Sequence, residues 1–328
     1  MRMQTAAQTA NYRGTLVSSA SGTMSSSRVD HYRVGDSAYE TVEALDGHPQ
    51  RILRHNDEVH TLWPNSRVAV IERRETLAAW TTTPQAVDPL ALEHYEMRLL
   101  GNSRVAGRDA VVFALEPRDN LRYRQRLWAD RESGLILRAD VLQLPAPPST
   151  AAAGAPAAPA AALSAAPPGA SDPQLDAMVN SQVLISTAFS SVDIGIKPQH
   201  EAIVKALQQL QGYRILRPQQ RRTTLQDEGW VLARPVAGYR LAGCVLRGME
   251  NAGGKDPVLQ AVFTDGLTHV SLFVERFQPE LHKSPSSAQR GATASLAQRG
   301  GEHWFTVVGD VPPRTLQLFA AALDRRSP

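Results

Sequence analysis

Between residues 12 and 73, hydrophobic and polar residues alternate in short segments that are bounded by turn-forming residues. The dipeptide Asp46-Gly47 is a strong hairpin signal between two of them. The pattern predicts a meander of six antiparallel strands, because every turn is short. Apolar residues on both faces of several segments indicate a sheet curled around helices or a cavity. The six segments are YRGTLVS, RVDHYRV, AYETVEAL, HPQRILR, EVHTLW and SRVAVIER.

The pattern from residue 90 onward is less uniform. Residues 90–100, LALEHYEMRLL, fit either a helix or another strand. Three extended segments follow, DAVVFALEP, YRQRLWAD and LILRADVLQL. We expect the last of these to form a hairpin with SQVLISTAFSSVDI, at residues 181–194, although the two are far apart in sequence.

Alanine and proline dominate the stretch between these two predicted hairpin arms, at about 145–175. A segment of this composition lacks the side chains that build a core. We interpret it as a long, disordered hairpin tip within the first domain, and not as a linker between domains. The first domain is therefore predicted to span residues 1–200.

A smaller domain is predicted at 229–328, after a polar linker at 201–228. HEAIVKALQQLQ has the spacing of a short helix, and PPRTLQLFAAALDR is a second helix that begins at its prolines. The strands between them are expected in GWVLARPVAGYRLAGCVLR, PVLQAVFTDGLTHVSLFVERF and HWFTVVGDV. The predicted fold class is α+β, mainly antiparallel β, with a large curled sheet domain and a smaller α+β carboxy-terminal domain.

The composition fits two folded domains. Of the 328 residues, 42% are hydrophobic and 20% are charged, and no apolar run reaches the length of a membrane-spanning helix. The single cysteine, Cys244, excludes an intramolecular disulfide and a multi-cysteine metal site. The net charge is +3, and 31 of the 35 basic residues are arginines. We interpret the arginine runs RYRQR and RPQQRR as solvated faces, and no nucleic-acid-binding motif accompanies them.

No pattern of residues specifies catalysis, a metal site or a cofactor. Four histidines, His31, His48, His55 and His60, lie on different predicted strands or turns and lack the i, i+4 spacing of a helical zinc motif. The sequence contains no G-x-S-x-G nucleophile elbow and no glycine motif for phosphate or dinucleotide binding. The residues alone therefore specify no enzyme class, and an enzyme with an unrecognised site stays an open alternative.

The first residues, MRMQTAAQTA, resemble the last turns of a helix that leads directly into a strand. They include no apolar region of a signal peptide. Because a helix that begins at the first methionine has no cap, we expect the natural gene product to carry an export signal upstream.

Several long motifs resemble the MucB/RseB family. NYRGTLV, RVDHYR, EALDGHPQRILR and EVHTLWP resemble its opening, and SRVAGRDAVVFALEPRDNLRYRQRLWADRESGLILRADVL is similar to its middle. GWVLARPVAGYRL, FTDGLTHVSLFVE and FTVVGDVPPRTL are similar to its carboxy-terminal domain. The motifs follow the family's order along nearly the whole chain, apart from the amino terminus and the Ala/Pro insert, so the sequence is identified as a member of this family.

The resemblance implies a periplasmic negative regulator of a sigma-E-type envelope stress response, which binds a partner and is not an enzyme. Such proteins bind the periplasmic region of a transmembrane anti-sigma factor and shield it from site-1 proteolysis, and lipopolysaccharide or mislocalised lipoprotein releases them. The resemblance also implies that the first domain is a half-barrel similar to periplasmic lipoprotein carriers. The alternative is that the protein is itself a lipid or lipoprotein carrier, which leaves the second domain unexplained. The resemblance leaves open whether the protein forms a homo-oligomer.

The resemblance does not assign individual site residues, so candidates are chosen by residue type. An apolar ligand cavity in the first domain needs large hydrophobic side chains, each of which also suits an ordinary core. The cavity candidates are Trp63, Val70, Trp80 and Leu99. The partner-binding candidates are aromatic, because such anchors dominate interface energetics. They are Trp230, Phe273 and Phe277.

Replacing residues 145–171 with a four-residue turn should leave cooperative thermal unfolding intact, because the segment offers no core residues and loop-closure entropy depends weakly on loop length. Circular dichroism melting of the shortened and the full chain measures this. A Gly/Ser replacement of the original length is the control. Loss of the cooperative transition in the shortened chain would show that the segment is structural.

Overall fold

The computed structural model describes residues 6, 9–73, 88–144, 181–248 and 256–325, and within these ranges twelve strands form the larger of two main sheets. Each of the first six strands pairs antiparallel with the next, so the predicted meander is confirmed. These strands are β1 (Tyr12–Ala20), β2 (Thr23–Val34), β3 (Ser37–Ala44), β4 (Arg51–His55), β5 (Glu58–Trp63) and β6 (Val68–Arg73).

Six further strands extend this sheet. They are β7 (Tyr95–Val105), β8 (Arg108–Pro117), β9 (Arg124–Asp130), β10 (Ile136–Leu142), β11 (Val183–Ile194) and β12 (Arg214–Leu216). Strands β10 and β11 pair antiparallel, which confirms the hairpin predicted across the Ala/Pro insert. Strand β11 also pairs with β1, so this hairpin joins the meander to the later strands. The insert itself lies outside the described residues.

The ambiguous stretch at 90–100 divides into two elements. A short 3-10 helix, Pro89–Glu93, begins at Asp88, whose side chain accepts a hydrogen bond from the Leu90 N–H at 2.9 Å. Strand β7 begins two residues after this helix ends. The buried residue of the helix, Ala91, packs beside Tyr95 in a cluster with residues of β8 and β9.

A helix, α1 (His200–Gln208), covers one face of the meander. Leu53 and Leu62, on β4 and β5, pack there against residues that include Ala206. Beyond the helix, β12 pairs in parallel with β6. The predicted polar linker, 201–228, thus overlaps the predicted helix and contributes β12 to the first sheet and a further strand, Gln220–Arg222, to the second. The domain limits at 200 and 229 stay predictions.

The described strands after β12 are β13 (Gln220–Arg222), β14 (Trp230–Leu232), β15 (Arg240–Arg247), β16 (Val258–Thr264), β17 (His269–Arg276), β18 (Ser286–Arg290), β19 (Thr293–Gly300), β20 (His303–Gly309) and β21 (Leu323–Arg325). Seven of them form the second main sheet in the described part of the chain, in the order β13-β15-β16-β17-β20-β19-β18. The helix α2 (Pro313–Ala322) buries Phe319 against one face, where it contacts Phe263. A separate pair of short strands, β14 and β21, flanks it.

This architecture confirms the predicted fold class, since both main sheets are almost entirely antiparallel and the described helices are few. The hairpin of β18 and β19 was missed in the sequence, because its Ser, Ala, Gln and Gly residues lack the β-branched and aromatic side chains typical of strands. No helix in the described ranges is long and apolar enough to cross a membrane.

The loop between β8 and β9 joins the two sheets. Leu121 belongs to the hydrophobic core of the second domain, and its carbonyl accepts a hydrogen bond from the Thr315 hydroxyl of α2 at 2.8 Å. The next residue, Arg122, has a solvent exposure of 0%. Its Nε donates to the Asp265 carboxylate at 2.8 Å, and its Nη2 donates to the Ala237 carbonyl at 2.8 Å. The first domain therefore anchors in the second through a buried ion pair.

The Asp265 carboxylate is held by further donors. Its Oδ1 accepts the backbone N–H of Leu267 at 2.9 Å and that of Thr268 at 2.7 Å. The hydroxyl of Tyr95, the first residue of β7, donates to Oδ2 at 3.3 Å. Burial, and next the Asp265 charge, raise the pKa of Tyr95 well above its ordinary value, so the phenol stays protonated and donates.

The interpretation of the RYRQR run as a solvated face is wrong. Arg122 and Arg124 are both buried, and Arg124 forms a two-bond ion pair with the Glu116 carboxylate at 2.6 and 2.7 Å. Arginine can be buried in this way because its planar guanidinium satisfies a carboxylate with two hydrogen bonds. The arginines of the RPQQRR run are exposed, as expected for a solvated segment.

The substitution Arg122→Met should destabilise the protein by about 3–5 kcal/mol, because it leaves the Asp265 carboxylate buried without its counter-charge. The matched control is Arg221→Met, which breaks the exposed ion pair with Glu228 and should cost less than about 1 kcal/mol. Urea unfolding measures both free energies. Equal, small losses in the two variants would contradict a structural role for the buried pair.

Candidate partner-binding surfaces

The structure places the four cavity candidates in different environments. Trp63 and Val70 lie on the same face of β5 and β6, opposite the Leu62 face that α1 covers, and both are half-buried. Leu99 lies on β7, at the other end of the strand order, and is 67% exposed. Trp80 lies outside the described residues. The structure therefore brings Trp63 and Val70 together and keeps Leu99 apart from them.

A small cavity lies instead between α1 and the ends of β4 and β5. Its volume is about 260 Å³, and its apolar walls are Leu62, Pro64, Ala206 and Tyr213. The charged residues Glu43 and Arg51, with neighbouring polar groups, complete the lining. Pockets for drug-sized ligands measure about 300–1,000 Å³, so this cavity suits a single side chain or a short apolar group.

The four histidines of the opening segment occupy separate positions. His31 stacks on Tyr12 with ring centroids 5.1 Å apart, and His55 stacks on Tyr39 at 4.6 Å. His60 forms a hydrogen bond with the carboxylate of its strand neighbour Glu58 at 2.8 Å. Within the described ranges, no group of three or more His, Cys, Asp or Glu residues is arranged to hold a metal ion.

Trp230 forms the floor of a cleft beside the paired strands β14 and β21. The cleft has a volume of about 710 Å³. The buried indole makes edge-to-face contacts with His303 and Phe305, with centroid distances of 4.9 and 5.5 Å. The guanidinium of Arg325 lies 5.4 Å from the indole centroid. We call this feature the Trp230 cleft. A Cβ at Gly300 would collide with the Phe305 ring, so glycine permits this packing.

Charges of both signs line the Trp230 cleft. Arg276 and Arg325 provide the positive charges, and Glu302 and Asp324 the negative ones. One nitrogen of Arg325 donates to His303 Nε2 at 2.9 Å, which requires an unprotonated acceptor. Burial, followed by the charge of Arg325, lowers the pKa of His303, so this imidazole is neutral at pH 7. The cleft thus combines an aromatic floor with a mixed-charge rim.

The other two partner candidates lie on the opposite face of the second sheet. On β17, Leu272 and Val274 point into the core, and Phe273 between them points outward and is half-buried. Phe277 packs against the Trp304 ring at 6.1 Å, and the Arg299 guanidinium lies 4.0 Å from the Phe277 centroid. His282 stacks on Trp304 at 4.9 Å.

We call this second surface the Trp304 face, defined by Phe273, Phe277, His282, Arg299 and Trp304. The structure therefore separates Trp230 from Phe273 and Phe277 and yields two surfaces. Trp304 was not selected from the sequence. The alternation in HWFTVVGDV carries a signal for it, because Phe305 and Val307 point to the core and the residues beside them point outward.

Two family models match separate parts of the chain. Residues 1–145 match the model of the MucB/RseB N-terminal domain, and residues 224–324 match the model of the MucB/RseB C-terminal domain. The sigma factor AlgU regulatory protein MucB of Pseudomonas aeruginosa is 24% identical over 319 residues, which cover 95% of this chain and 85% of that protein. The sigma-E factor regulatory protein RseB of Haemophilus influenzae is 29% identical over 141 residues. That match covers 43% of this chain and less than half, 45%, of that protein.

Solved structures show the same fold. The P. aeruginosa MucA/MucB complex contains a chain that matches with a TM-score of 0.66 and 23% identity, over 100% of this chain and 97% of that one. A structure of MucB alone matches with a TM-score of 0.64 and 22% identity, over 99% of this chain and 96% of that one. The arrangement of a large and a small sheet domain is therefore shared with these proteins.

Acidification should destabilise the fold in part through His303. Its folded-state pKa is lowered, so the unfolded chain takes up the proton first, at its ordinary pKa of about 6.5. The contribution of neutral His303 to stability is complete above about pH 6.5 and is lost as the pH falls through the folded-state pKa. The measurement is the urea midpoint between pH 8 and pH 5 for the parent, His303→Gln and the exposed-site control His48→Gln. His303→Gln should flatten the pH dependence, and an unchanged slope in that variant would contradict the assignment.

Proposed function

The chain belongs to the MucB/RseB family, and from this premise we propose that it is a negative regulator of a sigma-E-type envelope stress response in the periplasm. Its partner is the periplasmic region of a transmembrane anti-sigma factor, which it shields from site-1 proteolysis. The observation that carries the proposal is the match of both family domains, in order, over more than two thirds of the chain. The curated relatives it resembles are named as sigma-factor regulatory proteins, and MucB of P. aeruginosa has been solved with MucA.

In the proposed mode of action, the protein protects its partner simply by being bound to it. A bound partner segment is inaccessible to the protease, so the cleavage rate follows the fraction of partner that is free. At a free concentration of regulator 100 times its dissociation constant, about 1% of the partner is unbound, and cleavage slows about 100-fold.

The two aromatic surfaces of the second domain are the proposed contact sites. Phe273 and Phe277 are half-buried and present ring surface at the Trp304 face. The Trp230 cleft adds an aromatic floor with charges of both signs around it. Aromatic anchors next to arginine are typical of the residues that contribute most binding energy at protein interfaces.

Release of the partner follows from thermodynamic linkage between inducer binding and partner binding. Lipopolysaccharide or a lipoprotein acyl chain, the proposed inducers, must prefer the partner-free conformation in order to weaken partner binding. Thermodynamic reciprocity then requires the partner to weaken inducer binding by the same factor. The family resemblance motivates these inducers, and the carrier-like first domain that it implies is their proposed site.

The test combines the purified protein, the anti-sigma periplasmic region and the activated site-1 protease. We expect cleavage to slow in proportion to the binding isotherm and to recover when lipopolysaccharide is added. The partner should remain intact when the protease is omitted. Unchanged cleavage at saturating protein, or breakdown of the partner without protease, would disprove the proposal.

Phe277→Ala should weaken partner binding about tenfold, a typical effect of removing an aromatic anchor. The matched control is Leu318→Ala, which removes an exposed apolar side chain from α2 and should leave the affinity unchanged. Isothermal titration calorimetry measures both dissociation constants, and circular dichroism verifies the fold. Equal affinities in the two variants would remove the Trp304 face from the interface.

A further inference from the structure

Strand β7 differs from the other edges of the two main sheets that the structure describes. Edge strands expose unpaired backbone groups, and natural proteins protect them by keeping them short or polar. The edge strands β12 and β13 have three residues each, and β18 has five exposed residues with the sequence SSAQR. Strand β7 is the outermost strand of the first sheet and has 11 residues.

The first half of β7 also exposes large apolar side chains. Met97 and Leu99 are 37% and 67% exposed, and they project from the same face of the strand. Leu90 and Leu92, on the 3-10 helix that packs against β7, are exposed as well. Met97 and Leu99 thus form an exposed apolar pair along a sheet edge, and exposed apolar surface of this kind is a feature of binding surfaces.

The hydrogen-bond pattern between β7 and β8 shows which backbone groups of β7 point away from β8. The Arg118 N–H donates to the His94 carbonyl at 2.9 Å, immediately before the pair Tyr95 and Pro117. In an antiparallel ladder, alternate residues bond to the neighbouring strand, and the residues between them direct N–H and C=O away from it. Tyr95, Met97 and Leu99 are the outward-directed residues, and no strand in the described ranges pairs with them.

The available edge ends at a β-bulge. The register of β7 and β8 shifts between Leu99 and Gly101, and Gly101 has a φ of +130°, in the region that favours glycine. Leu100, within the bulge, and Val105, beyond it, pack against a core cluster of the first sheet. The edge open to a new strand is therefore residues 95–99.

We propose that residues 95–99 accept an extended segment of the partner protein as an additional antiparallel or parallel strand. The identity of the partner rests on the proposed function. The outward N–H and C=O groups select a polypeptide backbone, because an acyl chain cannot satisfy them. Met97 and Leu99 select a segment with apolar side chains at alternate positions. Glu96 and Arg98 neutralise each other through an ion pair of 2.8 Å, so the other face of the edge carries no charge preference.

Hydrogen exchange measured by mass spectrometry tests the contact directly. The full chain is labelled with and without a saturating amount of the anti-sigma periplasmic region. We expect the outward amides of Met97 and Leu99 to exchange at least about tenfold more slowly in the complex. The amides of the polar edge β18 should not change. Unchanged exchange at residues 95–99 in a formed complex overturns the proposal.

Two substitutions test the edge by calorimetry. Met97→Pro removes an outward N–H but leaves the hydrogen bonds between β7 and β8 intact. Leu99→Lys places a charge on an exposed site. Each should weaken partner binding about tenfold. Ala288→Lys, on the β18 edge, is the control and should bind as the parent does. Should Met97→Pro fail to fold, Leu99→Lys decides the result, since its site is mostly solvent-exposed.

The outcomes separate this proposal from the function on which it rests. If the parent chain does not bind the anti-sigma region at all, both are overturned. If the parent binds and both edge variants bind equally well, the edge proposal alone is overturned. Light scattering of the protein by itself gives the remaining outcome. A dimer that Leu99→Lys dissociates, with residues 95–99 protected in the absence of partner, would assign the edge to a second copy and overturn the proposal.

Discussion

The arrangement of this molecule depends on one buried ion pair, between Arg122 of the first domain and Asp265 of the second. Removing two charges from water costs several kcal/mol for each ion, and the attraction between them compensates only when geometry and additional hydrogen bonds are good. Here the Asp265 carboxylate also accepts two backbone N–H groups and the Tyr95 hydroxyl. Such a network favours one placement of the two sheets, because any other placement leaves a buried charge unsatisfied.

The same contact lies beside the proposed β7 edge. Tyr95 donates to Asp265 and is also the first residue of the β7 edge. The residue that begins the neighbouring 3-10 helix, Asp88, donates its N–H to the Gly266 carbonyl at 3.3 Å and accepts from Arg240 at 3.3 Å. A strand added at β7 would therefore lie directly beside the joint between the domains. The proposed partner site and the joint between the domains thus share Tyr95, which would allow partner binding and domain arrangement to influence each other.

The candidate sites show where prediction from sequence is limited. Aromatic residues were selected in the second domain by type, and Phe273 and Phe277 do lie together on one face. Trp230 lies on the other side of the sheet, because the direction of a side chain depends on register with strands that are distant in sequence. The β7 edge was missed for the same reason, whereas the alternation in HWFTVVGDV did carry a signal for Trp304. An edge exists only once the pairing of every other strand is fixed.

The sequence by itself determined the local elements and the family. The meander and both main helices follow from periodicity and turn residues, which act over a few positions. Only the tertiary structure decided that Arg122 is buried and not solvated. The partners of that arginine, Asp265 and the Ala237 carbonyl, lie 143 and 115 residues away along the chain. A local charge pattern cannot reveal such partners, because burial of a charge depends on what the folded chain brings to it from a distance.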